Sequence, residues 1–317
     1  MSPAHEHSRS TETRVTYLRV VATTKCPMSC TYCHMEGDPH RPGTAPALDR
    51  DTLEALLRVG VRAGVRKLKF LGGEPLVRAD LPDVIREVRR VGPTVDLSVI
   101  TAGVTLPGML EAVLAAGLDR VNVSVHGFGL PAFMRRGGKL PMWHRRNEFL
   151  RQVLATGRPL KLNYVLSGED DVEDLAALLA EATAWPAVVN VLDDLSDPKA
   201  SPTRVVETLV RLRGEPDERV TVPDPDSLPT THLLWLDGLR VEVKDSHLGA
   251  VAPYRACGPC PKRAQCREGI VALRLTHDGR LQPCMDRPDL SLDLLGTLRA
   301  GGEDAAFEAW THFTENV

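Results

Sequence analysis

Aromatic residues are scarce in this chain, with 4 Trp, 4 Tyr and 6 Phe among 317 positions, so its core has to be built mainly from aliphatic side chains. It has no apolar run long enough to span a bilayer as a helix, and its first 14 residues (MSPAHEHSRSTETR) lack the apolar core of a secretion signal. That polar opening is expected to be disordered, and the chain is expected to stay in the cytoplasm. It also lacks an excess of either charge: 39 Lys and Arg stand against 42 Asp and Glu, a formal net charge of -3. Neither nucleic acid nor an anionic membrane is therefore expected as a partner. Cysteine is missing from the whole middle of the chain. All seven thiols fall into two groups, Cys26, Cys30 and Cys33 near the start and Cys257, Cys260, Cys266 and Cys284 near the end. In a cytosolic chain, grouped cysteines favour metal ligation over disulfides.

Between the two groups, short β-branched runs alternate with amphipathic stretches. Strands are expected at 15–23, 67–71, 96–101, 121–126, 160–166 and 188–192, and helices at 50–64, 79–91, 106–117, 143–156, 171–183 and 202–213. Asp80, Asp170 and Ser201 stand where helices should start, and Gly92, Gly117 and Gly157 where they should stop. Six β-then-α units in a row argue for parallel strands with right-handed crossovers, an α/β array that curls into a partial (β/α)6 barrel over 15–214. A Pro-rich stretch near 215 marks the expected boundary to a small cysteine-rich region, 215–317. That region carries two expected hairpins, one turning at Asp237-Gly238 and one at His277-Asp278-Gly279.

Parallel barrels place their chemistry at the C-terminal ends of the strands. After the first strand comes Lys25-Cys26-Pro27-Met28-Ser29-Cys30-Thr31-Tyr32-Cys33, and after the second Gly72-Gly73-Glu74-Pro75. Three thiols this close can converge on one inorganic centre yet leave one coordination position open. A zinc knuckle completed by His34 or a distant cysteine is the bland alternative for the loop taken alone.

Together, C-x3-C-x2-C after one strand and GGEP after the next resemble the radical S-adenosylmethionine (SAM) superfamily. The resemblance implies a TIM-type partial barrel in which Cys26, Cys30 and Cys33 ligate a [4Fe-4S] cluster and SAM binds the fourth iron. It implies reductive cleavage of SAM to a 5'-deoxyadenosyl radical that abstracts a substrate hydrogen, with an electron donor such as flavodoxin or ferredoxin. It places Tyr32 beside the adenine and Gly72, Gly73 and Glu74 at the methionine moiety. Thr101 and Ser124 would lie near its carboxylate or the ribose, and Asn163 near the ribose.

The stretch LRLTHDGRLQPC, with Cys257 and Cys260 ahead of it, resembles the molybdenum cofactor biosynthesis protein A family, and C-x2-C-x5-C resembles SPASM or twitch modules. Both imply a second, auxiliary [4Fe-4S] cluster on Cys257, Cys260 and Cys284. Cys266 is an additional thiol, from which a cluster with no open iron is expected. The GTP-cyclising members of that family end in Gly-Gly, where this chain reads Phe313-Thr314-Glu315-Asn316-Val317.

The expected reaction is hydrogen abstraction from a polar small molecule (a nucleotide, sugar or amino-acid derivative) to rearrange, cyclise or decarboxylate it. A peptide maturase acting on a ribosomal precursor is the rival within enzymes, and a non-catalytic protein with two zinc sites the rival outside them. Candidate substrate groups are Arg135 and Arg136 in an Arg-Arg-Gly-Gly loop suited to an anion, Arg145 and Arg146 after it, and His126 at the fourth strand end.

Overall fold

The structure, a computed structural model, describes residues 15–30, 32–33, 47–194, 201–224, 226–244, 253–266 and 270–317. The opening segment 1–14 and His34, on which expectations fell, lie outside them. Strands β1 (Tyr17–Thr23), β2 (Lys67–Gly72), β3 (Asp96–Thr101), β4 (Arg120–Ser124), β5 (Leu160–Leu166) and β6 (Ala187–Asp193) pair in chain order, each parallel to the next. Parallel neighbours require crossovers, supplied by α1 (Arg50–Arg62), α2 (Leu81–Val91), α3 (Met109–Ala115), α4 (Leu130–Arg135), α5 (Leu140–Ala155) and α6 (Val172–Ala182). Helix α7 (Pro202–Arg213) follows β6, with the Ser201 side chain accepting from the Arg204 N–H as its N-cap.

Alternation sorts each strand. Leu18, Val20 and Ala22 of β1, Leu68 and Phe70 of β2, and Leu97 and Val99 of β3 join Leu53, Leu56 and Leu57 of α1 and Val84, Ile85 and Val88 of α2 in one core. Each such side chain removed from water contributes about 1.5–3 kcal/mol. Three helix readings shift. The helix expected at 143–156 is α5, which starts three residues earlier at Leu140, and α4, ahead of it across Gly137 (φ 88°), was not expected. Asp80 does not cap α2, because its carboxylate pairs with Arg78 at 2.7 Å, and a 3-10 turn at Glu169–Asp171 moves the start of α6 past Asp170.

The sheet continues without interruption through the boundary expected near 215. Strands β7 (Glu218–Val222), β8 (Thr230–Leu234) and β9 (Arg240–Lys244) extend it antiparallel to one another beyond β6, with β9 parallel to β6. At the other edge β10 (Leu273–Leu275) lies parallel to β1, followed by β11 (Arg280–Gln282) and β12 (Leu292–Asp293). Both expected hairpins are present, turning at Gly238 (φ 93°) and Gly279 (φ 78°). Strand β7 and the terminal helix α8 (Leu294–Asn316) were not legible in the sequence. The latter docks on α1, with Trp310 over Gly60 and an ion pair from Arg58 to Glu303 at 2.6 Å.

The sheet is curled. Lys67 of β2 reaches across to Asp226, just before β8, at 2.8 Å, and the Asp226 carbonyl accepts from the N–H of Val271, just before β10, at 2.7 Å. The two ends of the sheet therefore approach each other around a lumen, the geometry of a partial TIM-type barrel.

Candidate active site

At the C-terminal rim the turn after β2 is zipped to the cysteine loop after β1. The N–H of Gly73 donates to the Thr23 carbonyl at 2.7 Å, and that of Glu74 to the Lys25 carbonyl at 2.8 Å. Both glycines are required. Gly72 has φ 128°, and a Cβ on Gly73 would sit on the Lys25 carbonyl oxygen. The buried Glu74 carboxylate accepts from the N–H of Leu76 (3.1 Å), the hydroxyl of Thr101 (2.7 Å) and the N–H of Ala102 (2.7 Å), joining the ends of β2 and β3. Burial still wins over these donors and pushes its pKa from 4.5 up to about 7.

The cysteine loop lies on a small apolar cluster of Met28, Ala102, Val104 and Phe133, with Cys26 and Cys30 packed against it. Desolvation raises the Cys26 thiol to about 11 and the Cys30 thiol to about 12, with the neighbouring thiols adding to the rise. Among the described residues no three His, Cys, Asp or Glu side chains are already gathered at metal-ligand distances, so the fit of an iron–sulfur centre rests on donor chemistry. That chemistry fits: the donors are three soft thiols, Cys33 exposed at the surface and Cys26 and Cys30 in a desolvated bed where a bound cation favours the thiolate.

Residues read from the sequence meet around this loop. The Tyr32 hydroxyl makes a very short hydrogen bond to Nδ1 of His126, which also lies 3.7 Å from the Cys30 sulfur. His126 is half-buried, and desolvation first, then Arg136 and Arg146, hold its pKa down to about 4, so it is neutral near pH 7. Asn163, midway along β5, pairs in register with Ser124 at the end of β4 and accepts from the Asn190 amide at 2.9 Å. Three of the four arginines expected to bind an anion are occupied within the protein, and Arg145 is exposed. Arg146 donates to the carbonyls of Gly127 and Phe128 (3.0 and 2.8 Å), Arg135 to that of Asp170 (3.0 Å), and Arg136 pairs with Asp171.

A second polar feature fills the lumen and was missed. In register, Arg274 of β10 stands beside Arg19 of β1, Arg19 beside Lys69 of β2, Lys69 beside Ser98 of β3, and Ser98 beside Arg120 of β4. Such pairs share one face. Lys67, Lys161 and Lys244 line the same face, where Asp226, Asp96 and Glu242 pair with Lys67, Arg120 and Lys161. Lys69 lies among Arg19, Lys67, Arg120 and Lys161. Burial first, then these four cations, hold its amine well below its usual pKa. The Ser98 hydroxyl is buried without a hydrogen-bond partner among the described residues. A signal existed: buried parallel strands usually read as unbroken apolar runs, whereas YLRV, KLKF and LKLN carry a polar residue at every second position.

A curled parallel sheet with a thiol loop locked to a Gly-Gly-Glu turn at its C-terminal rim, above a cationic lumen, defines an iron–sulfur barrel enzyme. A model of the radical SAM superfamily matches residues 20–182, just over half of the sequence, and the chain belongs to that superfamily. It is thus a radical SAM enzyme, with a [4Fe-4S] cluster and SAM as cofactors. It is similar to a probable GTP 3',8-cyclase of Pyrococcus horikoshii, 30% identical over 302 residues covering 92% of this chain and 90% of the relative. A protein of the same name from Sulfurisphaera tokodaii is 29% identical over 293 residues, covering 89% and 85%. Both are named for the molybdenum cofactor biosynthesis A-like branch's reaction. Among solved structures, Streptococcus suis SuiB bound to S-adenosylmethionine matches with a TM-score of 0.58 at 14% identity, a likeness of fold. The match covers 86% of this chain and 59% of that one. No helix among the described residues is long and apolar enough to cross a membrane.

Proposed function

We propose that this radical SAM enzyme abstracts hydrogen from a nucleotide whose phosphates lie in the lumen, with a nucleoside triphosphate as the first candidate, and that it cyclises or rearranges it. The observation that carries this reading is the row Arg274, Arg19 and Lys69, extended by Lys161 and Lys244. Lys69 has four cations acting on its amine, a setting in which a bound phosphate would relieve like-charge repulsion. The printed name of the relatives, GTP 3',8-cyclase, favours the same substrate class.

Cys26, Cys30 and Cys33 would hold the cluster, and Gly72, Gly73 and Glu74 the amino end of SAM. A carboxylate has about four acceptor sites; three protein donors engage Glu74, which leaves room for one ammonium N–H. When bound, the cluster and SAM supply an electron and a 5'-deoxyadenosyl radical able to remove a hydrogen atom. The protein's part is to exclude water around the thiols with Met28, Val104 and Phe133 and to hold the phosphates on Arg19, Lys69 and Arg274. Thr101 and Ser124 at the rim between the two, and Asn163 beside Ser124, are assigned to SAM. Flavodoxin or ferredoxin would deliver the electron. Cys257, Cys260, Cys266 and Cys284 would hold an auxiliary cluster; its two loops meet where Arg287 donates to the Cys260 sulfur at 3.5 Å and Lys262 to the Asp286 carbonyl at 3.0 Å. Four thiols close such a cluster, so substrate recognition falls to the lumen side chains.

The test is anaerobic reconstitution followed by reduction with SAM and a panel of deuterated nucleotides, sugars and amino acids. Deuterium should appear in 5'-deoxyadenosine with a nucleotide. Transfer only from sugars or amino acids, or from none of the panel, would reject the substrate class.

A further inference from the structure

The Arg-Arg-Gly-Gly loop has the composition of an anion site, but its surroundings give it a different task. Gly137 lies directly against the backbone of Ser29 and Cys30; a Cβ there would overlap the Ser29 carbonyl, and its φ of 88° already favours glycine. Gly138 lies against the Phe133 ring, which forms part of the apolar bed under Cys26 and Cys30. Between the two arginines and those glycines, the Arg136 side chain turns inward and is 5% exposed. Its guanidinium stands 5.1 Å from the centre of the Tyr32 ring and 5.4 Å from that of Tyr164. Nη2 donates to the Val165 carbonyl at 2.7 Å and to the Asp171 carboxylate, which in turn accepts from the Ser167 N–H at 2.9 Å. A planar cation is thus held between two aromatic faces and anchored to the loop after β5.

We infer that Arg136 is a positioning residue for the cysteine loop: it clamps Tyr32, between Cys30 and Cys33, and so fixes the two thiols that flank that ring for the iron–sulfur centre. The inference rests on the cluster reading above and replaces the anion-binding role for this arginine. Guanidinium is the group this needs. Its plane stacks on a ring while its edge hydrogen-bonds a carboxylate and a carbonyl, which a lysine ammonium cannot do together. Nη1 is buried without a hydrogen-bond partner among the described residues, and it is the atom through which a substrate anion would act if the loop bound substrate. The two roles therefore predict different variants to fail in different assays.

The experiment measures iron release from reconstituted full-length protein to a ferrous chelator, with the iron of the N-terminal loop defined as the fraction missing from a Cys30→Ala control. Arg136→Gln and Arg136→Lys should both release that fraction about 10–100-fold faster than wild type, the range typical for groups that support metal ligands. Tyr32→Leu should reproduce the effect, and the double variant should add little to either single one. The KM for the nucleotide, measured on the loaded fraction, should stay near the wild-type value. Slow, wild-type-like release in Arg136→Gln together with a raised nucleotide KM would overturn the inference, as would full retention by Arg136→Lys. If Arg136→Gln fails to fold, Tyr32→Leu decides: wild-type retention there refutes the clamp. Wild-type protein that takes up no iron would instead refute the cluster reading.

Discussion

The backbone N–H of Glu74 donates to the carbonyl of Lys25 across 2.8 Å, one residue before Cys26. The turn assigned to SAM and the loop assigned to the cluster therefore share a backbone hydrogen bond, and neither can move independently of the other.

Gly73→Ala is the direct test of that coupling. Its methyl group would meet the Lys25 carbonyl and force turn and loop apart. The substitution should cost about 1–3 kcal/mol in a urea titration. It should also lower both iron uptake and SAM binding; loss of one without the other would show that turn and loop are not coupled in this way.

The pH dependence of apo-protein stability carries two opposed contributions. The Glu74 pKa is raised from 4.5 to about 7, so its contribution is full below 4.5 and is lost as pH rises through 7. His126 is lowered from 6.5 to about 4, so its contribution is full above 6.5 and is lost as pH falls through 4. Relative to wild type, Glu74→Gln should gain stability as pH rises from 4.5 to 7, and His126→Gln should gain it as pH falls from 6.5 to 4. Urea midpoints that run parallel to wild type across those windows would contradict both assignments.

Lys69→Met separates stability from function. Removing an amine crowded by Arg19, Lys67, Arg120 and Lys161 should raise apo stability by about 1 kcal/mol. Loss of one charged hydrogen bond to a phosphate, about 1.5–3 kcal/mol, should raise the nucleotide KM about 10–100-fold. Thermal unfolding and steady-state kinetics check the two halves, and a destabilised variant with unchanged KM would refute the lumen assignment.

The two thiol groups should fail differently. Cys26→Ala, Cys30→Ala and Cys33→Ala should each abolish release of 5'-deoxyadenosine, whereas Cys266→Ala should still cleave SAM but uncouple cleavage from product. Chromatography of 5'-deoxyadenosine against product reads both. Equal losses at all four positions would remove the proposed division between the sites.

Much of the fold was legible because it is written locally. Strand bounds fall within two residues of the alternation in the sequence, and the hairpins at Asp237-Gly238 and at Gly279 follow from turn residues able to adopt positive φ. Helix α8 was not legible: Gly301 and Gly302 interrupt its pattern, and it owes its place to docking on α1 through Trp310, Glu303 and Asp304. Helix α4 was not legible either: it ends at a turn whose Gly137 (φ 88°) lies against Ser29, more than one hundred residues away in sequence.

By itself the sequence determined the thiol trio, the Gly-Gly-Glu turn and the order of β/α units, because each is a short-range pattern with a fixed spacing. Only the tertiary structure decided which charges meet. It gathered Arg274, Arg19 and Lys69 into one row through strand register, and it turned Arg136 away from the open rim onto Tyr32 and Asp171. The physical reason is that a charged side chain takes its role from the groups buried beside it, and strands or loops distant in sequence bring those groups together.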